Sequence, residues 1–174
     1  MVFPSLFFIL VTVSAVLCAV GFYRFIWFLS VGYGLAVAGC GAAMLIAALM
    51  QGGAGLAYLL LCLLFIVYGC RLGLFLLLRE LKNAAYKKTL DAQTKPVPFF
   101  VQAAMWVLLA FLYPVQVSPV MYRLTNGMAE SSDAFVWIGA VVMLLGIVVE
   151  ATADKQKSEQ KKTDPHMAAK KGLF

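Results

Sequence analysis

The chain is poor in charged residues: only 13% of its 174 residues are Asp, Glu, Lys or Arg, whereas 63% are hydrophobic. A soluble domain of this size carries roughly 25% charged and about 45–50% apolar residues. The shortage of charge therefore excludes an ordinary soluble domain, and several apolar runs of spanning length indicate an integral membrane protein. The predicted fold class is all-α, a polytopic transmembrane helical bundle of about five spans.

Patterns that bind metals or nucleic acids are also missing. The four cysteines lie in apolar runs without ligand-like spacing, so we expect reduced thiols packed between helices, with neither a disulfide nor a metal site. The single histidine, His166, lies in the polar tail, where a solvated side chain is expected. The basic residues flank the membrane without interleaved aromatics, so no nucleic-acid partner is predicted. The cysteines are Cys18, Cys40, Cys62 and Cys70.

Five apolar runs are predicted to span the membrane: 3–22, 25–50, 56–78, 99–122 and 134–149. The first run lacks the basic start of a signal peptide, so we interpret it as a span. In the second run, Gly32, Ala36 and Cys40 recur one turn apart, a pattern that lets helix backbones approach closely in lipid. Pro114 and Pro119 are expected to kink or break the fourth helix.

The third run carries Tyr68 and Arg71 one turn apart, and Arg79 closes it. An arginine inside a span costs a few kcal/mol on insertion scales, so it should face the bundle interior and pair with a carboxylate or an anionic ligand. The alternative is that Arg71 extends its side chain to the headgroups. Beside Arg71, the Tyr68 phenol becomes a candidate proton donor or carbonyl-binding group.

The fifth run ends at Glu150, and Asp154 follows one turn later with no Gly or Pro between them. The helix is therefore expected to pass from lipid directly into water. Two carboxylates at this spacing repel each other by roughly 0.2–0.5 kcal/mol, which suggests a polar ligand or a cationic partner at the membrane boundary. The alternative is that both are ordinary solvated residues.

The distribution of basic residues predicts the orientation. If Arg24, the loop at 79–98 and the tail share one side, that side holds 12 of the 14 basic residues. The prediction is an external N-terminus and a cytoplasmic tail. Residues 1–150 would form the bundle, and 151–174 would begin a cytoplasmic segment. Short loops and the lack of glycosylation sequons favour a bacterial inner membrane over the endoplasmic reticulum.

Two segments resemble the steroid 5-alpha-reductase family. One runs from Glu150 through Ala153-Asp154-Lys155-Gln156 and a basic stretch to the Gly172-Leu173-Phe174 step. The other is the helix from Tyr68 and Arg71 to Arg79. The resemblance implies a membrane bundle of about seven spans in the complete family.

The resemblance also implies an activity: NADPH-dependent reduction of a carbon–carbon double bond conjugated to a carbonyl, in a steroid-like or other lipid substrate. Tyr68 would then hydrogen-bond the substrate carbonyl. Arg71, Glu150 and Asp154 would bind the cofactor, with the two carboxylates near its ribose and nicotinamide end.

The chain differs from the family in its C-terminal segment and in its second span. It reaches Phe174 where an Arg-x-Pro-Asn-Tyr-like motif should begin, so we expect a truncated member with an incomplete reductase domain after residue 150. No glutamate in the second span faces the tyrosine. Two alternatives stay open: an S-adenosylmethionine-dependent methyltransferase similar to the isoprenylcysteine carboxyl methyltransferases, and a non-enzymatic membrane remnant.

Overall fold

The computed structural model describes residues 5–52, 55–82, 97–125 and 134–163, together with Gly172. Within these residues the backbone is helical and contains no strand, which confirms the predicted all-α class. Two 3-10 segments, Ala19–Phe22 and Phe25–Phe28, join the first two helices. The helices are α1 Ser5–Cys18, α2 Val31–Met50, α3 Leu56–Lys82, α4 Phe99–Thr125 and α5 Ala134–Thr163.

Five helical segments in the described part of the chain are long and apolar enough to cross a membrane. They fall on the five predicted apolar runs, and the protein is therefore an integral membrane protein. The fifth helix continues well beyond the apolar run, as predicted, because no Gly or Pro interrupts the polar residues after Val149. The candidate spans are Ser5–Phe22, Phe25–Met50, Leu56–Leu81, Phe99–Thr125 and Ala134–Gln160.

Some sequence predictions fall outside the described residues. These are most of the basic loop at 79–98 and the tail from 164 onward, which includes His166; only Gly172 is described in that tail.

The chain divides into two compact units. The first, Met1–Ser131, contains α1 to α4, and the second, Ser132–Phe174, contains α5. Each unit is described by itself below.

Helices α2 and α3 touch backbone to backbone. A Cβ atom added at Gly34 would lie 2.6 Å from the Gly73 nitrogen and 2.7 Å from the Gly69 carbonyl oxygen. A Cβ atom added at Gly69 would lie 2.5 Å from the Ala38 nitrogen. Only residues without a side chain fit at these two positions, because Cβ atoms do not approach other heavy atoms so closely.

The predicted stripe of small residues on α2 is buried, but it faces α1. The Cys18 thiol lies 3.8 Å from the Gly32 carbonyl oxygen, and the Cys40 thiol lies 3.8 Å from the Leu10 carbonyl oxygen. The prediction of close packing is therefore confirmed for α2, which uses two faces of small residues against two neighbours. Cys62 is also buried, whereas Cys70 is exposed.

Helix α4 continues unbroken through both of its prolines. Pro119 has no N–H to donate to the Val115 carbonyl one turn earlier. The Ser118 hydroxyl donates to that carbonyl instead, at 2.8 Å. The Ser118 side chain thus supplies the hydrogen bond to the Val115 carbonyl that Pro119 cannot make. Spanning helices tolerate proline in lipid in this way. Of the two predicted outcomes, a kink or a break, the break is wrong.

A buried ion pair fastens the α1–α2 connection to the end of α3. The Glu80 carboxylate is buried, forms a salt bridge with Arg24 and accepts a hydrogen bond from the Trp27 indole nitrogen. Trp27 thus uses its indole N–H to hold the same carboxylate that Arg24 binds. This contact places the short connection and the end of α3 at the same end of the first unit.

We expect Gly69→Ala to destabilise the first unit by roughly 1–3 kcal/mol, because the added methyl group must push α2 and α3 apart. Gly139→Ala is the matched control, since a Cβ atom there meets no heavy atom within 4 Å. Unfolding by denaturing detergent, followed by circular dichroism of the micelle-bound protein, measures the difference. Equal midpoints for the two variants would contradict the backbone contact.

Glu80→Ala should cost roughly 3 kcal/mol of stability, because it leaves the Arg24 guanidinium buried without its carboxylate. The lower end of the usual range applies because the Arg24 side chain is 20% exposed. The same substitution made in an Arg24→Ala background should cost clearly less. Additive losses in this double-mutant cycle would mean that the pair contributes nothing, and Glu159→Ala, at an exposed position of α5, is the control.

Candidate functional site

Tyr68 lies near the middle of α3, and Arg71 follows one turn later. At ~1.5 Å per residue, Tyr68 is about 18 Å along the helix from Leu56, close to the centre of a ~30 Å hydrocarbon layer. Both side chains are half-buried. The sequence-predicted phenol and guanidinium are therefore side by side on one face of a spanning helix.

The Tyr68 phenol meets a second phenol from the neighbouring helix. The hydroxyl oxygens of Tyr33 on α2 and Tyr68 on α3 are 3.4 Å apart, and their rings pack edge to face with centroids at 6.2 Å. The side-chain amide of Gln116 on α4 donates to the Tyr33 hydroxyl at 2.9 Å. We call these three side chains the tyrosine–glutamine cluster.

The cluster lies well inside the apolar segments. Tyr33 is eight residues from the start of its candidate span, Tyr68 is twelve from the start of its own, and Gln116 is nine from the end of its own. Nine helical residues, the distance from Gln116 to the nearer end of its span, correspond to about 14 Å. Tyr33 is the third residue of α2 and follows the 3-10 segment Phe25–Phe28. Polar side chains at this depth are costly and mark functional positions by default.

Tyr33 and Gln116 were not predicted from the sequence as site residues. The available signal was a polar side chain inside an apolar run, but single tyrosines and glutamines are common enough that neither stands out alone. Tyr33 and Gln116 join Tyr68 only because α2, α3 and α4 pack together.

A third tyrosine, Tyr113 on α4, packs against the Tyr33 ring of the cluster. Its ring lies against Tyr33 with centroids 5.0 Å apart. Its hydroxyl donates to the Phe28 carbonyl at 2.8 Å, at the end of the 3-10 segment before α2. Tyr113 is buried and its hydroxyl binds backbone, so its role is to fix the position of the Tyr33 ring.

Basic side chains continue along α3 beyond the cluster. Arg71 and Arg79 are two turns apart, with Phe75 between them on the same face, and the Arg79 guanidinium lies 5.8 Å from the centre of the Phe75 ring. Both arginines are half-buried. A planar guanidinium group forms paired hydrogen bonds with phosphate and carboxylate groups, so this face suits an anionic ligand.

The second unit carries the two predicted carboxylates. Glu150 and Asp154 are half-buried on α5, one turn apart and on one face of a continuous helix. Gly172 adopts a positive φ of 115°, and a Cβ atom added there would lie 3.0 Å from the Gln156 side-chain carbon Cδ. Gly172 therefore lies against Gln156, two residues after Asp154 on α5, with a positive φ that favours glycine.

The four predicted site residues thus form two pairs, and within each pair the residues lie about one helical turn apart. Tyr68 and Arg71 belong to the first unit, and Glu150 and Asp154 belong to the second. Among the described residues, no group of three or more His, Cys, Asp or Glu side chains is arranged to hold a metal ion.

Comparison with known proteins gives one match. The family model described as "Protein of unknown function (DUF1295)" matches residues 27–174. No curated protein and no solved structure matches the chain at a significant level. The matched region contains all four predicted site residues, the tyrosine–glutamine cluster and the Arg24-facing carboxylate Glu80. Since the match covers most of the chain, this membrane protein belongs to the DUF1295 family.

Proposed function

We propose that the protein is the membrane-embedded part of a reductase that uses NADPH to reduce a carbon–carbon double bond conjugated to a carbonyl. The substrate class is a steroid-like or other lipid molecule. One observation carries the proposal: the Tyr68 phenol is hydrogen-bonded to a second phenol deep in the apolar layer, one turn from Arg71.

A phenol in this position can bind a carbonyl oxygen. An apolar substrate dissolves in the bilayer, and its carbonyl group needs a hydrogen-bond donor there because no water is present. When electron density moves onto that oxygen during reduction, a fixed donor in a low-dielectric surrounding stabilises the developing charge. Tyr68 is the residue for which we propose this role.

The side chains also fit the chemistry of a dinucleotide. Arg71 offers a guanidinium group for a phosphate, and the carboxylates of Glu150 and Asp154 can accept hydrogen bonds from ribose hydroxyls. The chemistry that the cofactor supplies when bound is donation of a hydride to the β carbon of the enone. The resemblance of the Glu150–Phe174 segment to the steroid 5-alpha-reductase family is what suggests NADPH.

The ion pair between Arg24 and Glu80 agrees with placing their two segments on the same side of the membrane, on which the proposed orientation depends. It joins two of the segments that the basic-residue count assigns to the cytoplasmic side. With the N-terminus outside, the end of α5 and its carboxylates would face the compartment that holds nucleotide cofactors. We propose a bacterial inner membrane as the location.

We predict that Arg71→Ala and Asp154→Asn each weaken NADPH binding about 10- to 100-fold, because a hydrogen bond to a charged group contributes roughly 1.5–3 kcal/mol. Membrane insertion should be unchanged. The binding titration uses the protein purified from its native membrane and reconstituted in nanodiscs, after its intact mass has been compared with 19.0 kDa.

Arg123→Ala, in the last turn of α4, and Glu159→Gln, at an exposed position of α5, are the matched controls. Unchanged NADPH affinity in both site variants would overturn the assignment of Arg71 and Asp154. Saturable binding of S-adenosylmethionine without binding of NADPH would contradict the reductase proposal and support a methyltransferase.

A further inference from the structure

Gln116 is a polar side chain on the exposed side of α4, deep in the apolar layer. It lies nine residues from the nearer end of its candidate span, which corresponds to about 14 Å. Its side chain is exposed. A glutamine side chain is shorter than the lysine and arginine side chains that extend from a span to the headgroups. The Gln116 amide therefore lies in the hydrocarbon layer, where no water can bind it.

The hydrogen bonds of Gln116 leave part of its amide available. Within the part of the chain that the structure describes, Gln116 makes one hydrogen bond, from its amide nitrogen to the Tyr33 hydroxyl at 2.9 Å. An amide group has a second N–H and a carbonyl oxygen, which this bond does not use. Thr12 and Ser118 behave differently, because each hydroxyl donates to a carbonyl of its own helix, at 2.9 Å and 2.8 Å. Gln116 thus needs a polar partner from outside α4, since lipid tails offer none.

Apolar side chains beside Gln116 form a face of the kind that packs against another helix. Leu108, Phe111, Leu112 and Val115 are between 49% and 60% exposed. Their spacing of three and four residues places them on one side of α4, and Gln116 lies at the edge of that side. We call this set of five residues the α4 face. A helix that packed on it would bring its own side chains close to the Gln116 amide.

A second copy of Gln116 meets the requirements of the first. An amide carries a donor and an acceptor on one group, so two such amides can each donate to the other. In a symmetric dimer the same patch of both subunits comes together, and a residue near the two-fold axis meets its own copy. Glutamine side chains hydrogen-bond across helices in membranes. The partial charges of the Gln116 amide are therefore complementary to those of a second Gln116.

We propose that two copies of this protein associate through the α4 face, with their Gln116 amides hydrogen-bonded to each other in the hydrocarbon layer. The Tyr33 hydroxyl binds one N–H of each amide and so holds the rest of the group in a fixed direction. The interface is independent of the proposed function, because no cofactor or substrate takes part in it. All the contributing residues belong to the first unit.

Fluorescence energy transfer between labelled copies measures the association. Donor and acceptor dyes are attached to the N-termini of two protein populations, which are mixed in phosphatidylcholine vesicles at a series of protein-to-lipid ratios. Gln116→Leu should weaken the dimer about 3- to 30-fold, the range for interhelical hydrogen bonds of polar side chains. Gln116→Asn keeps a shorter amide and should restore part of the association. Circular dichroism confirms that each variant is folded.

Tyr33→Phe is the matched control for the hydrogen bond within the chain. It removes the contact between Tyr33 and Gln116 but keeps both hydrogen-bonding groups of the amide, so its dimer should stay within about threefold of wild type. A loss in Tyr33→Phe as large as that in Gln116→Leu would mean that Gln116 acts by stabilising its own chain, and would overturn the interface.

Cysteine cross-linking locates the contact. Leu112→Cys, one turn from Gln116, is made in a chain whose exposed Cys70 is replaced by serine; the other three cysteines are buried. Oxidation with copper phenanthroline in vesicles should join two copies of the 19.0 kDa chain. Val67→Cys is the control, since Val67 is 53% exposed on α3 and lies outside the α4 face. Equal cross-linking at the two positions would contradict an interface on α4.

The remaining outcomes identify a different occupant. Wild-type protein that stays monomeric at every protein-to-lipid ratio overturns the proposal. If that monomer binds tritiated cholesterol, and Gln116→Leu weakens the binding, the amide serves a lipid alcohol instead of a second copy. A dimer that depends on Gln116 in a protein without NADPH binding supports the interface and contradicts only the reductase.

Discussion

The contact between the backbones of α2 and α3 determines where the polar groups of the membrane interior lie. Gly34 and Gly69 let the two helices touch, and each glycine directly follows a tyrosine of the cluster, Tyr33 or Tyr68. A bulkier residue at either glycine would separate the helices and with them the two phenol oxygens, which now lie 3.4 Å apart. The distance between the two phenol groups therefore depends on two residues that have no side chain.

The hydrocarbon layer explains most of the remaining polar contacts. A donor or acceptor left without a partner in lipid costs several kcal/mol, and several polar side chains in these helices avoid that cost by binding one another or the backbone. Ser118 supplies the bond that Pro119 lacks, Tyr113 binds the carbonyl at the end of a 3-10 segment, and Glu80 is held by Arg24. Tyr33, Tyr68 and Gln116 obey the same rule, and they do so by binding one another across three helices.

The helices could be predicted from the sequence, whereas the partners of each helix could not. Apolar runs give the five spans and the uninterrupted last helix, because length and polarity are local properties. The small residues of α2 predicted close packing, but periodicity does not say which neighbour a face meets. The Gly32 stripe meets α1, while Gly34 and Ala38 meet α3. Tyr33, Gln116 and Glu80 gain their meaning only from residues 35 to 83 positions away, so no local pattern could identify them.

The ion pair between Arg24 and Glu80 also has a consequence for biosynthesis. Its partners are separated by the whole of α2 and nearly all of α3, so the pair cannot form until the ribosome has made the third span. Until then the short connection between the first two spans carries a charge that only water or headgroups can solvate, which holds that connection at the membrane surface. When the third helix arrives, its carboxylate allows the connection to withdraw from water. The order in which the spans are made thus sets when this end of the bundle can close.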